Sequence, residues 1–145
     1  MNKRTAPPGY VLDENPETTY GDANSWYQLV GPLCHATTDE PGNICMAFYS
    51  EQRYISSMKR VHGGMLASFV DYLLFGTART AWGSDTALAT VSLNINYVSA
   101  CPPDVWVYGH GQTVRAGKNM AFVTGEVRAE DKVIVHANGT FRKLC

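Results

Sequence analysis

The hydrophobic pattern is densest from Val61 to Trp82, VHGGMLASFVDYLLFGTARTAW, a stretch long enough for about five helical turns. Met65, Leu66, Phe69, Val70, Leu73, Leu74 and Phe75 cover almost every side of its first turns. A helix that is apolar all round is normally buried rather than laid on a surface. One carboxylate, Asp71, interrupts it. An ionised carboxylate in such surroundings needs a partner, water or a raised pKa, so stability alone gives no reason for it.

The pattern changes period after Gly83-Ser84-Asp85. Four runs follow, Ala87–Val98, Val105–Arg115, Met120–Ala129 and Lys132–Leu144, each mixing β-branched and aromatic residues with period-two alternation. The separators Cys101-Pro102-Pro103-Asp104, Ala116-Gly117-Lys118-Asn119 and Glu130-Asp131 are short, which predicts antiparallel pairing of successive runs. Ahead of the helix, Leu33–Thr37 and Ile44–Ser50 read as a hairpin around the turn Asp39-Glu40-Pro41-Gly42-Asn43. Asp22–Val30 is either a short helix capped by Asp22 or an extended approach to the first strand. Residues 1–20, with Pro7, Pro8, Gly9 and Pro16, show no sustained period and read as an extended arm. The expected architecture is α+β: one long central helix wrapped by an antiparallel sheet of about six strands. Residues 1–27 form the arm and residues 28–145 a single domain.

The helix also carries an argument about assembly. Nine residues separate His62 from Asp71, about two and a half turns, so the two point to opposite sides roughly 13 Å apart along the axis. The Gly63 amide and the Asp71 carboxylate of one chain cannot close on one small substrate. If both act in one reaction, a second copy must supply one of them, and a dimer is implied.

Composition narrows the class. The chain has 145 residues, 17% of them charged, and a formal net charge of -1. There is no global electrostatic reason to expect nucleic acid or an anionic membrane as partner. Met65–Phe75 is too short to span a bilayer, and MNKRTAPPGY meets Pro7-Pro8 where a signal peptide has an apolar core. Cys34, Cys45, Cys101 and Cys145 show no CxxC spacing and read as reduced thiols of a cytoplasmic protein. His35, His110 and His136 have no metal-ligand spacing, and neither a metal nor a cofactor is expected. Asn138-Gly139-Thr140 spells a glycosylation sequon but, without a secretion signal, is read only as strand or turn.

Two strands, a helix opened by His62-Gly63-Gly64 with Asp71 nine residues after the His, then four strands: this order resembles the hotdog fold. It is similar in particular to the phenylacetic-acid-degradation-type thioesterases of the 4-hydroxybenzoyl-CoA thioesterase superfamily. Ala89–Tyr97 resembles that family's strand after the helix, and Gly117-Lys118, Ala121-Phe122-Val123 and Ala137–Phe141 resemble its last two strands. The resemblance covers roughly residues 28–143. It implies hydrolysis of an acyl-CoA thioester to free acid and coenzyme A, with Asp71 as nucleophile or general base. It makes the Gly63 N–H the oxyanion donor, consistent with the orphan amides and positive dipole end of a helix start. Thr90 matches a Ser/Thr position that orients the water or the carboxylate. Six residues before His62, where many relatives carry Asn or Gln, this chain has Ser56.

The catalytic set expected from this reading is Asp71, Gly63, His62 and Thr90, with Gly64, Ser56, Arg115 and Lys118 on the substrate. A homodimer is expected, with a tetramer left open. Plainer readings stand beside it. Asp71 could be a structural carboxylate bonded to a neighbouring strand, His62-Gly63-Gly64 an ordinary helix start, and Arg115, Lys118, Lys59 and Arg60 solvated surface charge. The apolar and aromatic residues of the helix are core first and acyl-pocket lining second. At the level of function the alternative is a non-catalytic hotdog protein that binds an acyl thioester. A dehydratase is weaker, because His62 and Asp71 face opposite ways.

Overall fold

The computed structural model describes residues 5–13, 26–36 and 42–145. In chain order these form β1 (Tyr10–Leu12), α1 (Trp26–Val30), β2 (Cys34–Ala36), β3 (Asn43–Tyr49), α2 (Gly63–Thr80), β4 (Leu88–Tyr97), β5 (Trp106–Ala116), β6 (Met120–Ala129) and β7 (Lys132–Lys143). A 3-10 turn, Gln52–Tyr54, leads from β3 towards α2. The seven strands make one antiparallel sheet in the order β1-β2-β3-β5-β6-β7-β4. One long helix against this sheet is the expected α+β hotdog architecture.

Two details differ from the sequence reading. The sheet has seven strands rather than about six, because Tyr10–Leu12 of the arm pairs with β2. The other difference is that β4 and β5 are sequential but not paired. β4 pairs with β7, while β5 lies between β3 and β6. The intervening segment is a crossover and not a hairpin. Its Cys101 is buried and its carbonyl accepts from Val61 N–H, and Asp104 N–H then bonds Ser50 O beside β3. Pro102 and Pro103 have no N–H to give a ladder, so a tight two-stranded return is disfavoured here. The predicted cap Asp22 and the turn residues Asp39, Glu40 and Pro41 lie outside the described residues.

The helix lies against the sheet through Phe69, Val70, Leu73 and Leu74, all buried. Close approach depends on strand residues without side chains. A Cβ at Gly109 would sit 2.8 Å from Leu73 Cδ2, and one at Gly111 only 2.1 Å from the Thr77 hydroxyl. Phe48, Val107, Val123, Ile134 and Phe141 complete the core from the strands. No described helix is long and apolar enough to cross a membrane.

Candidate active site

The helix is not buried all round. Asp71 and Tyr72 are only partly buried, and Asp71 opens on a groove of about 740 Å³. Trp26, Ala67, Ser68, Tyr72, Phe75, Leu88, Thr90 and Leu93 line the rest of it. The Asp71 carboxylate therefore meets its desolvation problem by facing outward in the single chain.

One of its oxygens is held. The Thr90 hydroxyl on β4 donates to Asp71 Oδ1 at 3.0 Å. Among the described residues Oδ2 has no hydrogen-bond partner, and the Asp71 side chain lines the groove. Burial, and after it the Asp71 charge, raises the pKa of the neighbouring Tyr72 phenol. Tyr72 is thus neutral at ordinary pH, and its ring stands edge-on to Tyr27 at 5.9 Å.

The position of Thr90 depends on an irregularity in β4. Its pairing with β7 shifts between Thr90 and Ser92. Before the shift Leu88 and Thr90 face the helix; after it Leu93 and Ile95 pack against the core and Tyr97 reaches Gly63. The inward positions thus change from even to odd numbers, which is what a one-residue bulge does.

At the other end of the site, His62 is the N-cap of α2. Its Nδ1 accepts from Gly64 N–H at 2.8 Å, and its carbonyl accepts from Met65 and Leu66 N–H. Among the described residues nothing accepts from the Gly63 N–H. Of the orphan amides at this helix start, Gly63 is the one left for a ligand, whereas Gly64 is already satisfied by His62. The His62 side chain is an exposed cap.

Gly63 and Asp71 lie beside the same strand but far apart. Tyr97 OH donates to Gly63 O at 3.0 Å, and Thr90 contacts Asp71 seven residues earlier on β4. The eight residue steps from one to the other correspond to about 12 Å of rise. Tyr97 was not singled out from the sequence; its place in the alternation Leu93, Ile95, Tyr97 was the available signal. Trp26 was not singled out from the sequence either. It lines the groove, and its Nε1 donates to Ser68 Oγ at 3.3 Å.

The remaining expected residues do not converge on Asp71. The Ser56 hydroxyl and N–H both donate to Arg60 O, closing the loop ahead of α2. Arg115 and Lys118 are exposed at the β5–β6 end of the sheet. There the Gly117 carbonyl accepts from Trp82 Nε1 at 2.9 Å, which places the turn near the C-terminal end of α2, away from Gly63. Among the described residues no group of three or more His, Cys, Asp and Glu side chains is arranged to hold a metal.

The family model for the thioesterase superfamily matches residues 58–136, more than half of the chain. The chain belongs to the thioesterase superfamily. Solved structures agree on its fold. The conserved protein PA5202 of Pseudomonas aeruginosa superposes with a TM-score of 0.78 at 25% identity, covering 88% of this chain and 98% of its own. Zebrafish thioesterase superfamily member 2 gives a TM-score of 0.78 at 19% identity, covering 90% and 94%. A mutant of the phenylacetic acid degradation protein PaaI from Thermus thermophilus gives 0.73 at 19%, covering 82% and 98%. This superfamily chain therefore has the hotdog fold, and membership supports thioester hydrolysis as its general chemistry.

Proposed function

We propose that the protein hydrolyses acyl-CoA thioesters to a free acid and coenzyme A, in a homodimer whose sites combine Asp71 of one chain with Gly63 of the other. The observation that carries this reading is the Asp71 carboxylate, anchored through one oxygen by Thr90 on a side chain that lines a largely apolar groove. As general base, Asp71 removes a proton from water as the water oxygen adds to the thioester carbonyl. The resulting oxyanion is met by the open Gly63 N–H at a helix N-terminus. Collapse breaks the C–S bond, and the coenzyme A sulfur leaves as thiolate and is protonated. In the nucleophilic version Asp71 itself adds to the carbonyl, and water then opens the mixed anhydride. One turnover in heavy-oxygen water tests the nucleophilic version, because label enters the Asp71 carboxylate only where water opens a mixed anhydride at the Asp71 carbonyl.

Strand geometry supports the dimer. β4 is the free edge of the sheet, with Val91, Tyr97 and Val98 more than half exposed. An open, apolar edge strand is a template for another strand. Two β4 strands paired antiparallel about a two-fold axis bring the Tyr97 end of one beside the Thr90 end of the other. Gly63 of each chain then approaches Asp71 of its partner.

The deciding experiment is release of free thiol over a panel of acyl-CoA substrates. Release that disappears in Asp71→Asn supports the enzyme. Tight binding of acyl-CoA without any release, in wild type and variant alike, would support the acyl-thioester-binding alternative instead.

A further inference from the structure

The face of α2 turned towards β2 and β3 carries a different chemistry from the Asp71 groove. Tyr72, Phe75, Gly76 and Arg79 recur at i, i+3, i+4 and i+7, so they form one stripe along the helix. At 100° per residue the middle of this stripe is about a quarter-turn away from Asp71. On the sheet side, His35 of β2 is the register partner of Met46 of β3, and Ile44 is two residues from Met46, so the three share one face. Between stripe and strands lies a cavity of about 330 Å³, completed by Thr80, Gly83 and Ser84.

The charge of this cavity sits at one end. Arg79 comes one helical turn after Phe75, and its guanidinium carbon lies 5.7 Å from the centre of the Phe75 ring. Among the described residues no carboxylate forms an ion pair with it. Asp13 stands beside His35 at 3.9 Å and is not among the described lining residues. A cation in the last turn of a helix is favoured by the helix dipole alone. That accounts for Arg79 at the helix end, but not for the apolar space beside it or for a glycine in its wall. Glycine is among the least favourable residues inside a helix, and a Cβ at Gly76 would meet nothing within 4 Å.

We propose that this cavity is a binding site for an apolar monocarboxylate, with its head on Arg79 and its body against Phe75, Tyr72, Ile44 and Met46. The guanidinium fork matches a carboxylate, and the rings and aliphatic side chains match an apolar body. One cation with Asp13 nearby suits a single negative charge, whereas a phosphate dianion would find too few donors. The site is separate from the Asp71 groove and does not depend on thioester hydrolysis.

The test is calorimetry at low ionic strength on the full chain, with hexanoate, hexan-1-ol and inorganic phosphate as probes. Hexanoate is expected to bind wild type and to lose about tenfold in affinity in Arg79→Met. Hexan-1-ol keeps only the body and phosphate only the charge, so each is expected to bind about tenfold more weakly than hexanoate. Gly76→Leu leaves the cation in place but fills the space. It is expected to abolish binding while its melting temperature holds or rises, since leucine is the better helix former. Asp71→Asn distinguishes this cavity from the groove. A carboxylate bound in the groove would gain affinity once the Asp71 charge is gone, and one bound beside Arg79 is unaffected. Affinity that survives Arg79→Met or Gly76→Leu, hexan-1-ol or phosphate binding as tightly as hexanoate, or tighter hexanoate binding in Asp71→Asn overturns the proposal. So does a wild-type protein that does not bind hexanoate. None of these measurements requires thioester release, so the site and the hydrolase reading fail independently.

Discussion

The Thr90 hydroxyl reaches across from the edge strand to the central helix and holds one oxygen of Asp71 at 3.0 Å. A plain structural carboxylate bonded to a neighbouring strand would make the same contact. The distinction lies in the other oxygen, which has no hydrogen-bond partner among the described residues on a side chain that lines the groove, and in what each substitution does. Asp71→Asn keeps shape and can still accept from Thr90, but it lacks charge and basicity. It is expected to lose about 10²–10⁴ in kcat as a general base, and at least comparably as a nucleophile. Because Asp71 is only partly buried, the melting temperature should stay near wild type. Thr90→Val should cost less. A hydrogen bond to a charged group is worth about 1.5–3 kcal/mol when buried; Thr90 is exposed, which lowers that, so about tenfold at most is expected. Both quantities are measured on one preparation of each variant. A destabilised Asp71→Asn protein whose activity falls only with its folded fraction would make the carboxylate structural.

Assembly is tested by complementation. An Asp71→Asn chain and a chain with Gly63→Pro, which removes the proposed oxyanion N–H, are each expected to be nearly inactive. Proline is tolerated at the first position of a helix, so the second chain should still fold. Mixed after dissociation, a quarter to a half of wild-type activity at most should return, because each heterodimer regains one intact site. Sedimentation on wild type should show a dimer or larger. A fully active monomer at micromolar concentration would refute the shared site.

Lys118 and Arg115 are exposed, so any role in coenzyme A binding is electrostatic and screened. If they meet its phosphates, Lys118→Ala should raise KM more than it lowers kcat, with the effect shrinking as salt rises. An unchanged KM at low ionic strength returns Lys118 to the solvated surface.

A pH effect on stability is expected at His35. Burial lowers its pKa, aided by the Arg79 charge and opposed by Asp13, whose carboxylate lies 3.9 Å away. The folded protein therefore favours the neutral ring. This contribution is fully present above the unfolded value of about 6.5 and is lost as pH falls through the lower folded value. Melting temperature should fall on acidification from neutral pH, less steeply in His35→Gln and more steeply in Asp13→Asn. Identical slopes for wild type and His35→Gln would remove His35 as the cause.

The long helix and the last four strands were legible because their periods differ and because Gly, Pro and Asn separate them. Met120–Ala129 was delimited to the residue. The wrong pairing of β4 with β5 came from connection length: a short link permits a hairpin but does not require one, and only the buried path of Cys101 tells them apart. The Asp71–Thr90 pair was anticipated from family resemblance, not from residue spacing. In β4 the alternation of Leu93, Ile95 and Tyr97 read forward assigns Thr90 to the outer face, unless an extra residue is counted in. Groove volume has no signature in a linear pattern, since it depends on where neighbouring side chains stop.

The shift at Val91 makes the edge strand two segments in opposite phase. Thr90 is in register with the helix on one side of it, and Tyr97 with Gly63 on the other. A strand without the additional residue would present one of these contacts to solvent while keeping the other. The parity of this strand, and not any single side chain on it, is what lets both ends of the proposed reaction centre be displayed along one edge.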